Sequence, residues 1–531
     1  MGDKATLSER VKPLLINPDA IEKIVISGQG IQHEIPNSPN TQSSLQIFSY
    51  LTSNAGEINA QEAEKGLEIY GDELRTEHII GEKKHVNIGI LEDIARRGLP
   101  VRSDIYRRPE AKDIPFTEEQ LREALAEFPT PFIIYSEKEI LRNDARLSKA
   151  FSWANGFRNH FAFKATPNLD IIDILRRRGQ GGDCSSDYEL DMARRLGVLG
   201  EDVILTSNNT PESLFRMATE QGAIINFDDI THIPFYQQSV GKLPKVACCR
   251  FNPGVERAGN SIIGDPVQAK FGMRRDQIFE AFNLLKAGGV ERYGLHTMIV
   301  SNERNPEYFV ETGRMMFKLI GDIRRSTGIE VEFVDLGGGL GTPYRPEQRE
   351  LDVMAVGQGI KSEFEKNVAQ GEIRPDLRIL MENGRFITGP SGVLVSRVLH
   401  TPEKHKDFIG LDASLPANLF RAGIYGAYHH ISFLGKRYDA PVKRYDVVDG
   451  LCENMKFTVD RLLPSVQRGE VALIYNAGAH AIAMGSNYNG HRKCAEILLK
   501  EDDGLRMIAR GQTIDDLNAR FKFPGSRFFP Q

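Results

Sequence analysis

Cysteine and tryptophan are scarce in this chain of 531 residues, with five of the first and one of the second. The cysteines make no even disulfide framework and no Cys-x-x-Cys pair, which argues against a disulfide-stapled fold and a thiolate zinc site. Buried reduced thiols are expected, including the adjacent Cys248 and Cys249, with Cys452 the exception. No apolar run approaches the length of a membrane span, and the opening MGDKATLSER carries no apolar signal region. A cytoplasmic protein is expected, without a membrane partner. Charge of one sign is lacking too: 67 Lys and Arg against 72 Asp and Glu leave a net charge of -5. That balance offers nucleic acid no basic field. The 12 histidines show no HxxxH spacing and no clustering with carboxylates at the ends of apolar runs, so no metal is expected.

What the chain does have is a series of eight short apolar runs alternating with helix-like segments between about 159 and 385. They read NHFAFKA, GGDCSS, DVILTSN, AIINFDD, KVACCRFN, RYGLHTMIVS, EVEFVDLGGG and RILMENGR. A short run of strand formers followed by an amphipathic helix is a βα unit. Eight in series predict an α/β fold built on a closed (β/α)8 TIM-type barrel, with its working face at the C-terminal ends of the strands. The residues there are Lys164, Ser185, Asn208, Asp228, Arg250, Ser301, the triplet Gly337, Gly338 and Gly339, then Glu382 and Arg385.

These residues suit one ligand. A lysine on a rigid strand end can form a Schiff base, a glycine triplet lets backbone N–H groups approach a phosphate, and a carboxylate can keep a pyridine nitrogen protonated. Any one of them alone is unremarkable, since strand-end lysines are usually solvated and glycine turns are usually just turns. Their order within one barrel predicts pyridoxal phosphate as cofactor. Glu382 bears on the chemistry, because a charged pyridinium is a strong electron sink and suits loss of carbon dioxide.

Three regions follow along the chain. Residues 1–114 form an extension of unknown role, with the polar loop IPNSPNTQSS, a helical pattern in INAQEAEKGLEIYGDEL and another in VNIGILEDIARRG. Residues 115–139 include the run PTPFIIYS, and 140–398 hold the barrel. From 399 to 531 the chain is β-rich, with runs such as HHISFLG, RYDVVD and EVALIYNAG.

The motifs PTPFIIYSEKEI, FAFKATPN, GGDCSSDYEL, RFNPG, DLGGGLGTPYRPEQ, ENGRFITGP, GLCEN and NAGAHAIAMGSNYNG resemble those of the barrel-type pyridoxal phosphate decarboxylases of basic amino acids. Within that group the chain is most similar to the diaminopimelate decarboxylase family, over roughly three quarters of its length. The resemblance implies an alanine racemase-like barrel plus a C-terminal β-rich domain to which residues 115–139 add a strand. It implies that Lys164 holds the cofactor, that Glu382 meets its ring nitrogen, and that Gly337 to Gly339, Gly384 and Arg385 surround its phosphate or the substrate beside it. Asn208, Arg250, Ser301, His480 and Tyr488 are further cofactor contacts, and His296 a neighbour without a catalytic proton. Arg421 and Tyr425 fall where the family clamps the distal carboxylate of the substrate, for which a planar guanidinium is suited. Cys452 falls on the proton donor and Glu453 on the residue meeting the distal amino end, both reaching in from the partner subunit of a homodimer.

Several positions depart from the pattern. Asn383 replaces a proline and is expected only to loosen the turn; Met298 replaces the aromatic group that stacks on the cofactor ring. Ala422 replaces the proline after the clamp arginine, Lys456 stands near where an acidic residue is usual, and His480 replaces a tyrosine, with Tyr488 nearby as its substitute. The sequence therefore implies an amino-acid decarboxylase, with diaminopimelate the first substrate to test and lysine the product. A decarboxylase of another amino acid in a specialised pathway, an amino-acid racemase and an inactive regulatory relative are the alternatives. Glu382 argues against the racemase, since racemases of this fold place arginine at the ring nitrogen, and intact Lys164, Glu382 and Cys452 argue against inactivity. The cofactor's visible absorbance band would separate the last.

Overall fold

The computed structural model describes residues 7, 11, 21–28, 31–36, 41–52, 57–71, 74, 85–98, 100–107 and 114–521, with 261–263, 347 and 437–441 excepted. The first part of the chain is a small α/β unit. Its strands Ile21–Gly28 (β1), Ile31–Pro36 (β2), Glu57–Ile58 (β3) and Val101–Arg107 (β4) form a sheet of order β2-β1-β4-β3. A register shift between Ile21 and Lys23 against β4 lets Ile21 be buried together with Ile24 and Ile26, although strict alternation sets it out of phase. Helices Gln42–Leu51, Ala60–Tyr70 and Val86–Arg97 bury Phe48, Leu67, Leu91 and Ile94 in the same core. Gly66 sits where all three of these helices meet, because a Cβ there would lie 2.5 Å from Leu51 Cδ1 and 2.7 Å from Leu91 Cδ1. The stretch IPNSPNTQSS is not simply a loop: Ile35 and Pro36 end β2 and its last three residues, Gln42, Ser43 and Ser44, lie in the first helix, with 37–40 outside the described residues.

Helix Glu118–Glu127 and strand Phe132–Ser136 (β5) lead to the barrel. Its eight strands are Arg158–Ala162 (β6), Gly181–Cys184 (β7), Val203–Ser207 (β8), Ile224–Phe227 (β9), Val246–Arg250 (β10), Arg292–His296 (β11), Val331–Asp335 (β12) and Arg378–Met381 (β13). Neighbours pair in parallel, and β13 closes on β6 through Leu380 opposite Arg158 and Met381 opposite Asn159. Alternation along the strands splits the apolar residues into two layers: Ile204, Ile224, Cys248, Phe333 and Leu380 pack on one another, while Ala247 and Cys249 join the larger core with Phe282 and Leu285 of helix Arg275–Ala287.

The β-rich domain is a nine-stranded sheet. Gly392–His400 (β14) runs antiparallel to β5, and further strands are Phe408–Leu411 (β15), Ile431–Phe433 (β16), Val442–Val448 (β17), Thr458–Pro464 (β18), Val471–Ile474 (β19), Ala495–Leu499 (β20) and Leu505–Ala509 (β21). Residues 392–398, assigned above to the barrel, instead lie in β14 of this sheet, because their backbone pairs with β5 and β19. The expected fold class, barrel plus β-rich domain, is the one observed. All five cysteines are free, and Cys452 alone among them is exposed. Among the described residues no helix is long and apolar enough to cross a membrane.

Candidate active site

The strand ends of the barrel gather charge of both signs. Lys164 sits in the tight turn Phe163–Ala165 that follows β6, and its ammonium pairs with the buried Asp183 of the adjacent strand β7. Burial opposes the charge on Lys164, but Asp183 and Glu382 outweigh it and raise its pKa well above the ordinary range. Asp183 is pushed up to about 7 by burial and by Glu382, with Lys164 pulling the other way. The loop Gly478–His480 of the β-rich domain is fastened to the lysine turn by two bonds: His480 N–H donates to Ala165 O at 2.8 Å, and Thr166 Oγ1 to Gly478 O at 2.7 Å.

At the ends of β11, β12 and β13 lie His296, Asp335 and Glu382, whose ligand atoms fall within 4.8 Å of one another. The sequence spacing gave no sign of this cluster, which only barrel closure creates. His296 Nε2 lies 3.2 Å from Glu382 Oε2, both buried. Burial and the Glu382 charge raise Asp335 well above the carboxylate range, while Glu382 itself, despite burial, is held down by His296, Lys164 and Arg250. The cluster thus carries its negative charge on Glu382. Oε1 of Glu382 is buried and has no hydrogen-bond partner among the described residues.

The glycine triplet runs between the neighbouring strand ends in the closest possible contact. A Cβ would lie 2.4 Å from Thr297 O at Gly337, 2.3 Å from Glu382 O at Gly338 and 2.4 Å from Val300 O at Gly339. Gly337 and Gly339 also take positive φ, so no other residue fits this path. Met298 Sδ accepts from Gly338 N–H at 3.2 Å. Asn383 does not loosen its turn: its N–H donates to Asn159 Oδ1 at 2.8 Å, a bond proline could not make, and its Oδ1 accepts from Leu340 N–H at 3.2 Å. Gly384 lets this turn approach the lysine turn, since a Cβ there would lie 2.5 Å from Ala165 Cβ.

Opposite the carboxylates is a cationic wall. Arg385 donates to Tyr344 Oη at 2.7 Å and to Ser301 Oγ at 3.3 Å, and the Arg421 guanidinium lies 4.9 Å from the centre of the Tyr344 ring. Both arginines are buried. Burial and then Arg385 lower the Arg421 pKa, in part offset by the phenol, and the two guanidiniums lower that of Tyr344 although burial works against them. His480 is driven well below its ordinary value by burial, Arg385, Arg421 and Lys164. His429, whose ring lies edge-on to that of Tyr344 with 5.1 Å between ring centres, is pushed down to about 3 by burial. These neutral imidazoles add no positive charge to the wall.

The other anticipated residues are more dispersed. Arg250 pairs with Asp228 at 2.9 Å and lies over the Phe271 ring, near enough to act on Glu382. Asn208 is half-buried in the loop after β8. Tyr425 stands one helical turn beyond Arg421 in helix Phe420–Tyr425 and is half exposed. Cys452 and Glu453 lie on the exposed surface with Tyr488, whose phenol donates to Glu453 Oε1 at 3.0 Å. Tyr488 therefore joins that pair within one chain and not His480. Asp183, Asp335 and Tyr344 belong to the site but were not singled out from the sequence. For Tyr344 a signal was present in TPYRPEQ, directly after the glycine triplet.

Residues 137–389 match the family model of the pyridoxal-dependent decarboxylases, pyridoxal binding domain. The chain is 40% identical over 392 residues to Protein TabA of Pseudomonas amygdali pv. tabaci, covering 73% of this chain and 90% of that one. It is 32% identical over 396 residues to the diaminopimelate decarboxylase of Methanothermobacter thermautotrophicus, covering 74% and 91%. The chain belongs to the diaminopimelate decarboxylase family. Among solved structures of that family, the enzyme of M. jannaschii in complex with L-lysine superposes with a TM-score of 0.70 at 27% identity, covering 76% of this chain and 94% of that one. The Helicobacter pylori diaminopimelate decarboxylase complexed with L-lysine gives 0.67 at 26%, covering 75% and 98%. As a member of the family the protein is a pyridoxal phosphate-dependent carboxy-lyase. Residues 12–104 match a second family model, described as an uncharacterized protein conserved in bacteria.

Proposed function

We propose that this diaminopimelate decarboxylase family member removes carbon dioxide from meso-diaminopimelate, or from an amino acid with a similarly placed distal carboxylate, yielding L-lysine in the first case. The observation that carries the reading is the pair of buried guanidiniums, Arg385 and Arg421, set around Tyr344 with no carboxylate partner among the described residues. Two buried cations so close together repel each other and call for anions. A cofactor phosphate accounts for one, and a distal carboxylate for the other.

The residues also fit pyridoxal phosphate. The partnerless buried oxygen of Glu382 suits a protonated ring nitrogen, and Lys164 is the amine to hold the aldehyde carbon. Asn208, Arg250, Ser301, Gly337 to Gly339, Gly384 and His480 are proposed around the rest of the cofactor, and Tyr488, held against Glu453, beside the cofactor of a partner subunit. When bound, it supplies the electron sink for the pair left as carbon dioxide departs. Glu382, backed by His296, keeps the ring nitrogen's proton in place; Asp183 orients the Lys164 amine. Arg385, Arg421 and Tyr425 orient the substrate. Cys452, as proton donor, and Glu453, at the distal amino group, serve a partner subunit's site in a homodimer, which accords with their exposure in a single chain.

Carbon dioxide release from meso-diaminopimelate, lysine, ornithine and arginine tests the assignment. Turnover of diaminopimelate first is expected; turnover of ornithine with none of diaminopimelate overturns the substrate and favours a specialised pathway.

A further inference from the structure

The seam that closes the barrel is short. Leu380 lies opposite Arg158 and Met381 opposite Asn159, and the ladder between β13 and β6 ends there. Glu382 N–H already turns the other way, to Gly337 O at 2.8 Å. The next residue is instead held to β6 by a side chain. The carboxamide of Asn159 takes both backbone groups of Asn383: Oδ1 accepts from its N–H at 2.8 Å, and Nδ2 donates to its O at 3.1 Å. The same Nδ2 donates to Gln180 Oε1 at 2.7 Å, Gln180 Nε2 donates to Asp144 Oδ1, and Asp144 Oδ2 accepts from Arg178 Nε at 3.3 Å. Asn383, Asn159, Gln180 and Asp144 are all buried, and only Arg178 reaches the surface. Asp144 stands beside Asn143 on helix Glu137–Ala150, and Asn143 Nδ2 donates to Ile387 O at 3.1 Å. One helix thereby fastens both ends of the stretch 383–387.

The direction of each amide in this row is fixed. A carboxylate at one end only accepts and a peptide N–H at the other only donates, so neither Asn159 nor Gln180 can turn its amide over without losing bonds on both sides. Such a row adds little to stability, since each buried polar group gives up water for its partner. What it supplies is a fixed place for the backbone at 383, between the carboxylate of Glu382 and the guanidinium of Arg385. We propose that Asn159 is a positioning residue for Glu382: it sets the turn so that the partnerless oxygen of Glu382 faces the ring nitrogen of the cofactor and holds the proton there. This rests on the reading of Glu382 given above. With proline at 383, the residue usual in the resembling family, the N–H bond to Asn159 could not form; the device belongs to this chain's own pair of asparagines.

The full chain loaded with pyridoxal phosphate isotope-labelled at its ring nitrogen should be studied by nitrogen NMR, which separates a protonated from a neutral ring. The wild type is expected to show the protonated form and Glu382→Gln to lose it. Asn159→Leu, which keeps the size of the side chain and removes its bonds, should shift the signal toward the neutral form and lower kcat about tenfold. Asn383→Pro, which breaks the N–H bond alone on this side, should shift it the same way by less, and stands in if Asn159→Leu does not fold. Because the two variants break the same bond, the double variant should lose no more kcat than Asn159→Leu does, and not the product of the two losses. Ile224→Val, which loosens the packing at the start of β9, away from the turn, should leave the ring protonated. A wild-type signal in Asn159→Leu, multiplied losses in the double variant, or an equal shift in Ile224→Val overturns the proposal. An unchanged signal in Glu382→Gln overturns the reading of Glu382 and the proposal with it, so the two failures are told apart.

Discussion

His296 and Glu382 meet at 3.2 Å in the floor of the barrel mouth, both buried, one from the end of β11 and the other from just beyond β13. The contact helps keep Glu382 ionised in a place where burial would otherwise neutralise it. Replacing that charge by a neutral amide in Glu382→Gln is expected to lower kcat about a hundredfold or more, since a fixed charge in a water-poor site stabilises far more than one in solution. The visible band of the bound cofactor should persist. Steady-state rates alongside absorbance spectra check this; wild-type kcat in the variant would remove Glu382 from the mechanism.

Arg421 and Tyr344 are expected to act on substrate binding. Arg421→Gln should raise KM for diaminopimelate about ten- to a hundredfold, the usual loss for a charged hydrogen bond. Tyr344→Phe should have a smaller effect in the same direction through Arg385. An amino acid without a distal carboxylate should show neither change. Equal KM increases for both kinds of substrate would place Arg421 elsewhere than at the distal carboxylate.

Shared sites predict complementation. Lys164→Ala should lose both turnover and the visible band, and Cys452→Ala should lose turnover alone. Once subunits have exchanged, about half of the dimers are mixed and each holds one intact site, so about a quarter of wild-type activity is the ceiling for a symmetric dimer. Continued inactivity of a well-exchanged mixture of folded dimers would show that Cys452 does not act across subunits.

Acid should destabilise the fold through its buried histidines. His160 is pushed down to about 4 and His429 to about 3, in both cases by burial. Between pH 6.5 and about 4 the unfolded chain takes up protons at these positions that the folded chain refuses, so stability falls as pH falls. Each contributes at most about 1.4 kcal/mol per pH unit. Asp183, raised to about 7, works in the opposite sense, its contribution being present at low pH and lost as pH rises through 7. Melting temperatures from pH 7.5 to 4.5 should therefore decline less steeply in His160→Gln than in the wild type. An identical slope would contradict the neutral buried state of His160.

The sequence by itself determined the barrel, because eight short runs of strand formers alternating with amphipathic helical segments admit few other folds. It also put Lys164, Glu382 and the glycine triplet at strand ends, where the structure has them, since there position along the chain nearly equals position in space. In the first α/β unit the strands β1, β2 and β4 were not read from the sequence; β1 departs from simple alternation at Ile21 and β4 pairs across some eighty intervening positions. Only the tertiary structure decided the partners. Asp183 meets Lys164 because β7 lies beside β6, Asp335 meets Glu382 because β12 lies beside β13, and His296 joins them because β11 flanks β12 on its other side. Tyr344 gains its place from Arg385 and from Arg421, 41 and 77 positions away, and Asn383 tightens a turn that its residue type alone would loosen. Residue type gives a side chain its chemistry, but pKa and orientation come from neighbours that chain closure supplies, and no local pattern encodes them.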